Sequence, residues 1–164
     1  LAQDLMYNYR TGELQNYTFY SNPEYDKVCE EQQRTADENA RKELLYKMQD
    51  IIHRRLHALW DNTGFTLVED PLRAGYYSEI DMLVWAKKFY GDDFVAYLQK
   101  TYNPLDVVFR LANETSLVLL NGGGFAGPKW SVRVSLANLN EADYVKIGKS
   151  IKRVLDEYAK VWQS

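Results

Sequence analysis

The chain has 164 residues, 46% of them hydrophobic and 26% charged, a composition that suits one soluble globular domain with a real core. Its net charge of -3 and isoelectric point near 5.5 argue against a general nucleic-acid binder, because neutralising phosphates needs a basic surface. No apolar run approaches the ~20 residues that a membrane span requires, and the opening LAQDLMYNYR has neither the basic start nor the apolar core of a secretory signal.

The sole cysteine, Cys29, cannot form an internal disulfide, so a reducing cytoplasm is the expected compartment. The first residue is Leu1 rather than methionine, and the chain is therefore expected to be a piece of a longer protein. Tyr7, Tyr9, Tyr17, Phe19, Tyr20 and Tyr25 crowd its start without helix or strand periodicity. Large rings contribute most when buried, so residues 1–22 are read as an aromatic-rich arm that packs on this domain or on a missing one. A carbohydrate or base-stacking surface is the alternative, although nothing basic accompanies the rings.

Asn22-Pro23 reads as a helix start, with Asn as the cap and Pro in the first turn. From there to Asp61 no Gly or Pro intervenes, which predicts a long helix over 23–62, roughly 38 residues or ~57 Å at ~1.5 Å per residue if unbroken. Leu45, Met48, Ile52, Leu56 and Leu59 form a core-facing stripe widened by Leu44 and Ile51, whereas Glu30 to Arg41 is mostly polar. The first half is expected to project, bend or break, and the second half to pack. Asn62-Thr63-Gly64 supplies the stop. His53 and His57 have metal-ligand spacing, but Arg54 and Arg55 stand between them and no Glu accompanies them. They read as helix-surface residues, with no metal expected.

Residues 63–164 read as an α+β domain, a small mixed sheet covered by helices. Phe65 to Val68 is a short strand candidate closed by Pro71, and Gly75 to Ile80 a second. Three helical pieces follow: Met82 to Tyr90, ended by Gly91; Asp93 to Tyr102, capped by Asp92; and Pro104 to Asn113, capped by Asn103. Asp92 and Asp93 could be an acid-base pair, yet helix capping accounts for them. The last helix starts at Asn140 with Asp143 in capping-box position, and buries Tyr144, Ile147, Ile151, Val154, Tyr158 and Val161 at 3,4,3,4,3 spacing. Its other face carries Lys146, Lys149, Lys152, Arg153, Asp156 and Glu157, a mixed-charge solvated surface.

The stretch from Leu117 to Leu139, LVLLNGGGFAGPKWSVRVSLANL, organises the rest. Leu117 to Leu120 has the length and branching of a buried strand and stops at Asn121-Gly122-Gly123-Gly124. From Trp130 to Ala137 the residues alternate, with Trp130, Val132, Val134 and Leu136 on one face and Ser131, Arg133, Ser135 and Ala137 on the other. An arginine between two small hydroxyl residues near a glycine turn suits capture of a planar anion by the guanidinium. A solvated arginine paired with a surface carboxylate is the alternative.

The turn LLNGGGF followed by WSVRVSLANLNEADY resembles the C-terminal small domain of fold-type-I, pyridoxal-phosphate-dependent aminotransferases, and within them the aspartate beta-decarboxylases. The likeness runs with falling clarity from about Gly75 to Lys160, with SLANLNEADY after the arginine as its most specific part. The resemblance implies that Arg133 binds the substrate alpha-carboxylate and that Asn121, Gly122, Gly123 and Gly124 let the backbone pass close to the site. It makes 23–62 the interdomain helix. It also implies an enzyme that converts L-aspartate to L-alanine and carbon dioxide with aspartate transamination beside it, a homo-oligomer, and a missing N-terminal large domain. That domain would carry the pyridoxal 5'-phosphate, its Schiff-base lysine and the acidic partner of its ring nitrogen. No serine-rich lysine motif of the family occurs in this chain, so no catalytic residue and no covalent cofactor are expected within it. The rival is a free-standing, non-catalytic α+β binding module with the tyrosine-rich start and the long helix as its partner surface. A phosphate loop at Gly122 to Gly124 lacks the Lys-Ser/Thr ending and a helix directly after it.

Overall fold

A computed structural model describes residues 10–12, 23–67, 75, 77–137 and 139–164. Among the described residues five α-helices pack with a three-stranded sheet: α1 (Pro23–Arg34), α2 (Glu38–Trp60), β1 (Tyr77–Asp81), α3 (Met82–Thr101), α4 (Asp106–Thr115), β2 (Leu120–Asn121), a 3-10 turn (Gly122–Phe125), β3 (Ser131–Ser135) and α5 (Glu141–Gln163). This is the expected α+β class. None of the described helices is long and apolar enough to cross a membrane.

The helix predicted over 23–62 breaks at residues 35–37, one of the outcomes its polar first half allowed. Thr35 donates its hydroxyl to Glu31 O at 2.6 Å, and Asp37 caps α2 by accepting from Ala40 N at 2.7 Å. These side chains satisfy backbone groups that a continuous helix would have bonded itself, so the break carries little penalty. α1 then folds back on α2 and buries Tyr25 and Cys29. Tyr25 is the one member of the aromatic cluster among the described residues, and it is core; Tyr7, Tyr9, Tyr17, Phe19 and Tyr20 lie outside them, as do the expected cap Asn22 and Val68 and Pro71. In α2 the predicted stripe is buried at Leu44, Met48, Ile51, Ile52, Leu56 and Leu59, with Leu45 half-buried.

Met82 to Thr101 is assigned as one helix, not two, but its axis is interrupted where expected, at Gly91 with φ +83°. Asp81 caps it, accepting from Leu83 N at 2.9 Å. Asp92 is an ion-pair partner of Lys87 at 2.9 Å. α4 starts at Asp106, two residues later than predicted, because Asn103 turns its side chain to Leu105 N at 2.9 Å and closes a turn first. In α5 the predicted face is buried from Tyr144 through Tyr158, but Val161 is 55% exposed; it lies in the final turn, past the surface α5 covers. Asn140 occupies the cap position without a side-chain cap bond, and Asp143 pairs with Lys146 at 2.8 Å in place of the capping box.

The sheet order is β1-β3-β2 with both pairings antiparallel. β3 is thus the central strand, and Arg133 sits at its middle. Ile80, Val132 and Val134 point into the helical layer and are almost completely buried, as are the flanking Trp130 and Leu136. The expected strand at Phe65 to Val68 is absent at residues 65–67. The expected strand at Leu117 to Leu120 is reduced to Leu120–Asn121. Leu117 and Leu119 are half-buried while Val118 is 80% exposed; the segment alternates like a strand, but β3 offers it partners only at Arg133 and Val132.

Three side chains, Arg55, Trp60 and Tyr144, tie the sheet and the segment after β3 to the helices. Arg55, itself buried, donates through Nη1 to Leu136 O at 2.9 Å and Ala137 O at 3.1 Å. Tyr144 donates its hydroxyl to Ser135 O at 2.8 Å and accepts from Leu139 N at 3.2 Å. Trp60 donates Nε1 to Ser78 Oγ at 2.6 Å on β1. Such buried bonds to main-chain carbonyls restrict how far β3 can shift relative to α2 and α5.

Candidate functional site

The face of the sheet turned away from the helices is built from every second residue: Tyr77 and Glu79 on β1, Ser131, Arg133 and Ser135 on β3, and Leu120 on β2. The register sets Glu79 directly opposite Arg133 on one side and Leu120 opposite it on the other. The 3-10 turn after β2 folds over this face. Its first residue, Gly122, is buried, because a Cβ there would lie 1.9 Å from Ser131 Oγ. Gly127 is constrained similarly, with a Cβ meeting Glu79 Oε1 at 2.4 Å. Only glycine permits this approach of the turn to β3. Asn121 holds the turn from within, accepting from Gly123 N at 3.0 Å.

The turn ends in Phe125, whose ring centre lies 4.4 Å from Arg133 Cζ; the ring of Tyr77 lies 4.5 Å from the same atom. Arg133 is half-buried, and among the described residues it makes no ion pair. The facing carboxylate of Glu79 is occupied otherwise, accepting from Ser131 Oγ at 3.1 Å. Ring faces attract a guanidinium through its flat surface, and the N–H groups lie at its edge. Beside Arg133 on the strand, the hydroxyl of Ser135 is buried with no hydrogen-bond partner among the described residues.

The other arginines with described ion pairs are spent. Arg110 binds Glu114 and Glu157, each at 2.7 Å, and stacks on Tyr158 at 4.5 Å; these partners hold its guanidinium charged far above the ordinary range despite partial burial. Arg54 is shared among Glu24 at 3.1 Å, Glu141 at 3.1 Å and Asp50 at 3.3 Å. Arg153 reaches Glu157 at 3.7 Å and Glu114 O at 2.9 Å. Arg133 differs in kind: aromatic on its contacts, unpaired by any described acid, and central in the sheet.

A surface groove of about 360 Å³ elsewhere is lined by Asp50, His53, Arg54, His57, Asp61 and Glu141. Both histidines are partly exposed on α2, with rings 5.4 Å apart and His57 Nδ1 3.8 Å from Asp61. Among the described residues no group of three or more His, Cys, Asp or Glu side chains could hold a metal ion. Cys29 lies on the buried face of α1, and desolvation pushes its thiol up to about 11.

Of the residues singled out from sequence, Arg133 and the 121–124 turn come together, on adjoining strands. What sequence reasoning missed is that the turn delivers Phe125, and that Tyr77 and Glu79 share the arginine's face. Period-two alternation in YYSEI does set Tyr77 and Glu79 on one face, but which face, and opposite which residue, depends on the register.

No protein-family model matches the chain. Over 110 residues, 67% of its length, it is 37% identical to a bifunctional aspartate aminotransferase and L-aspartate beta-decarboxylase from a Pseudomonas species. The chain spans only about a fifth, 21%, of the length of that relative. This similarity supports a relationship to the aminotransferases.

Pyridoxal phosphate, the cofactor that relationship implies, does not fit the residues present. A Schiff-base lysine is a desolvated nucleophile, whereas every lysine of this chain is exposed, and Lys27, Lys42, Lys87, Lys146 and Lys152 are committed to carboxylates.

Proposed function

We propose that the chain is the C-terminal part of a longer pyridoxal-phosphate-dependent enzyme that converts L-aspartate to L-alanine and carbon dioxide and also transaminates aspartate, with Arg133 holding the substrate's alpha-carboxylate. The observation that carries this reading is a half-buried guanidinium at the centre of the sheet whose Cζ lies 4.5 Å and 4.4 Å from two ring centres and which no described acid neutralises. An arginine kept for internal structure would resemble Arg110, closed by carboxylates, or Arg55, closed by main-chain carbonyls. Arg133 retains donors for a carboxylate that arrives from outside, and a planar pair of N–H groups matches the two oxygens of that group.

In this reading the chain binds and orients. Charge-assisted bonds to a carboxylate contribute about 1.5–3 kcal/mol each, more where water is displaced, and the rings of Phe125 and Tyr77 beside the guanidinium reduce its hydration. The cofactor, its lysine and the acid that tunes its ring belong to the remainder of the enzyme. Oligomer contacts and a cytoplasmic location are part of the same proposal.

The test is Arg133→Lys in the full-length protein. The variant keeps the charge and loses the planar donor pair, so kcat/KM for L-aspartate should fall at least about tenfold, the factor that ~1.4 kcal/mol represents. Arg153→Lys on the exposed side of α5 should leave kcat/KM unchanged. Wild-type kcat/KM in a folded Arg133→Lys protein would remove the carboxylate assignment. Separately, borohydride treatment of this chain with pyridoxal phosphate should label no single lysine stoichiometrically.

A further inference from the structure

We infer that Tyr77 and Phe125 are positioning residues for Arg133: together they fix the plane of its guanidinium, and the 3-10 turn exists to bring Phe125 there. The inference rests on the carboxylate role proposed for Arg133 and adds the device that makes that role selective.

An arginine side chain has several rotatable bonds, and an unpaired one on a sheet surface samples many directions. Arg133 has no acid to orient it among the described residues, yet its Cζ lies 4.5 Å from the Tyr77 ring centre and 4.4 Å from that of Phe125. Both distances fall well inside the range of favourable cation–π contact. The two rings come from different elements. Tyr77 begins β1 and is diagonal to Arg133 in the ladder, since its own partner is Ser135. Phe125 ends the turn that follows β2.

The turn is built for close approach to β3. Gly122 and Gly127 leave the space that Ser131 Oγ and Glu79 occupy, and the Ser131 hydroxyl shares its one proton between two acceptors, Pro128 O at 2.8 Å and Glu79 Oε1 at 3.1 Å. Gly127 N closes the loop by donating to Gly122 O at 3.0 Å. The outcome is an apolar residue left 53% exposed, with Tyr77 41% exposed, which burial alone does not reward. Contact with the guanidinium accounts for both rings. Ring faces take up the flat surface of the cation without competing for its N–H edge, so they orient the group and leave its carboxylate-binding capacity intact, which an acidic partner would not do.

The consequence is selective. Removing either ring should weaken ligands that use Arg133 and spare ligands that do not. The experiment uses the full-length enzyme with its cofactor and reads equilibrium binding from the cofactor absorbance for two probes: succinate, which presents a carboxylate to Arg133, and 3-aminopropanoate, which is aspartate without its alpha-carboxylate. Phe125→Leu and Tyr77→Leu should each raise Kd for succinate by about tenfold, leave that for 3-aminopropanoate within about twofold, and become silent when added to Arg133→Lys. Phe125→Tyr and Tyr77→Phe, which keep the rings, should restore wild-type Kd. Stepwise fluorination of Phe125 keeps its shape and drains the negative ring face, so Kd should climb with each fluorine even where the leucine variants fold poorly. If Arg133→Lys leaves succinate binding intact, the carboxylate role fails and this inference with it. If Arg133→Lys weakens succinate while leucine and fluorinated variants do not, the rings are only packing and the carboxylate role survives alone.

Discussion

Arg133 and Glu79 face each other across the β1–β3 ladder, yet the Glu79 carboxylate accepts a hydrogen bond from Ser131 Oγ at 3.1 Å and forms no ion pair with the guanidinium. Opposite charges at directly paired positions ordinarily attract across a sheet. Here the serine and the glycine turn hold the acid aside, and the arginine stays available. Glu79 nevertheless remains a negative charge one strand away from any anion bound to Arg133. Two charges ~4 Å apart interact by about 1 kcal/mol in water, so Glu79→Gln, which can still accept from Ser131, should tighten succinate binding to the full-length enzyme about twofold to fivefold at low salt. The gain should shrink as salt is raised. Weaker binding instead would mean that the charge of Glu79 organises the site.

The three glycines of the turn are not equivalent. A Cβ at Gly122 would meet Ser131 Oγ at 1.9 Å, whereas one at Gly124 would meet nothing within 4 Å. Ser131 is buried, with its hydroxyl set between Pro128 O and Glu79 Oε1, so it has little room to yield. Gly122→Ala should cost about 1–3 kcal/mol, the usual range for overpacking, and should raise Kd for succinate by moving Phe125. Gly124→Ala should stay within about 0.5 kcal/mol of wild type. Chemical denaturation of both variants decides the matter, and equal losses would contradict the geometry.

Ser135 offers a test of a different sort. Its hydroxyl is buried without a partner among the described residues, a state that costs about 1–3 kcal/mol in desolvation with nothing returned. Ser135→Ala removes the orphan group and leaves the Tyr144 bond to the Ser135 carbonyl untouched. The variant should be equal in stability to wild type or up to about 1 kcal/mol more stable. A loss larger than that would reveal a partner for the hydroxyl.

Ile151 lies at the centre of the buried face of α5 and is fully inaccessible. Ile151→Asp would bury a carboxylate without a counter-charge and should cost at least about 3 kcal/mol, enough to unfold a marginal domain. Val161→Asp, two turns beyond Val154 and 55% exposed, should be tolerated. Thermal melting of the pair separates the buried face from its exposed end.

The elements legible in the sequence are those whose signal is local. The 3,4,3,4,3 spacing of α5, the stripe of α2, the break at Gly91 and the alternation through Trp130 to Leu136 are written within about two turns or one strand, and each predicts its own burial. Arg133 was visible for the same reason, as a cation at a polar position of an alternating strand. Tertiary structure decided what that alternation cannot carry. A strand pattern states that Tyr77 and Glu79 share a face, but the partner opposite each is set by pairing between segments more than fifty residues apart. That pairing made β3 central, limited the Leu117 to Leu120 run to a two-residue strand, and turned a glycine stretch into the support that brings Phe125 to Arg133. Contacts of this kind depend on close packing in three dimensions, which no one-dimensional period encodes.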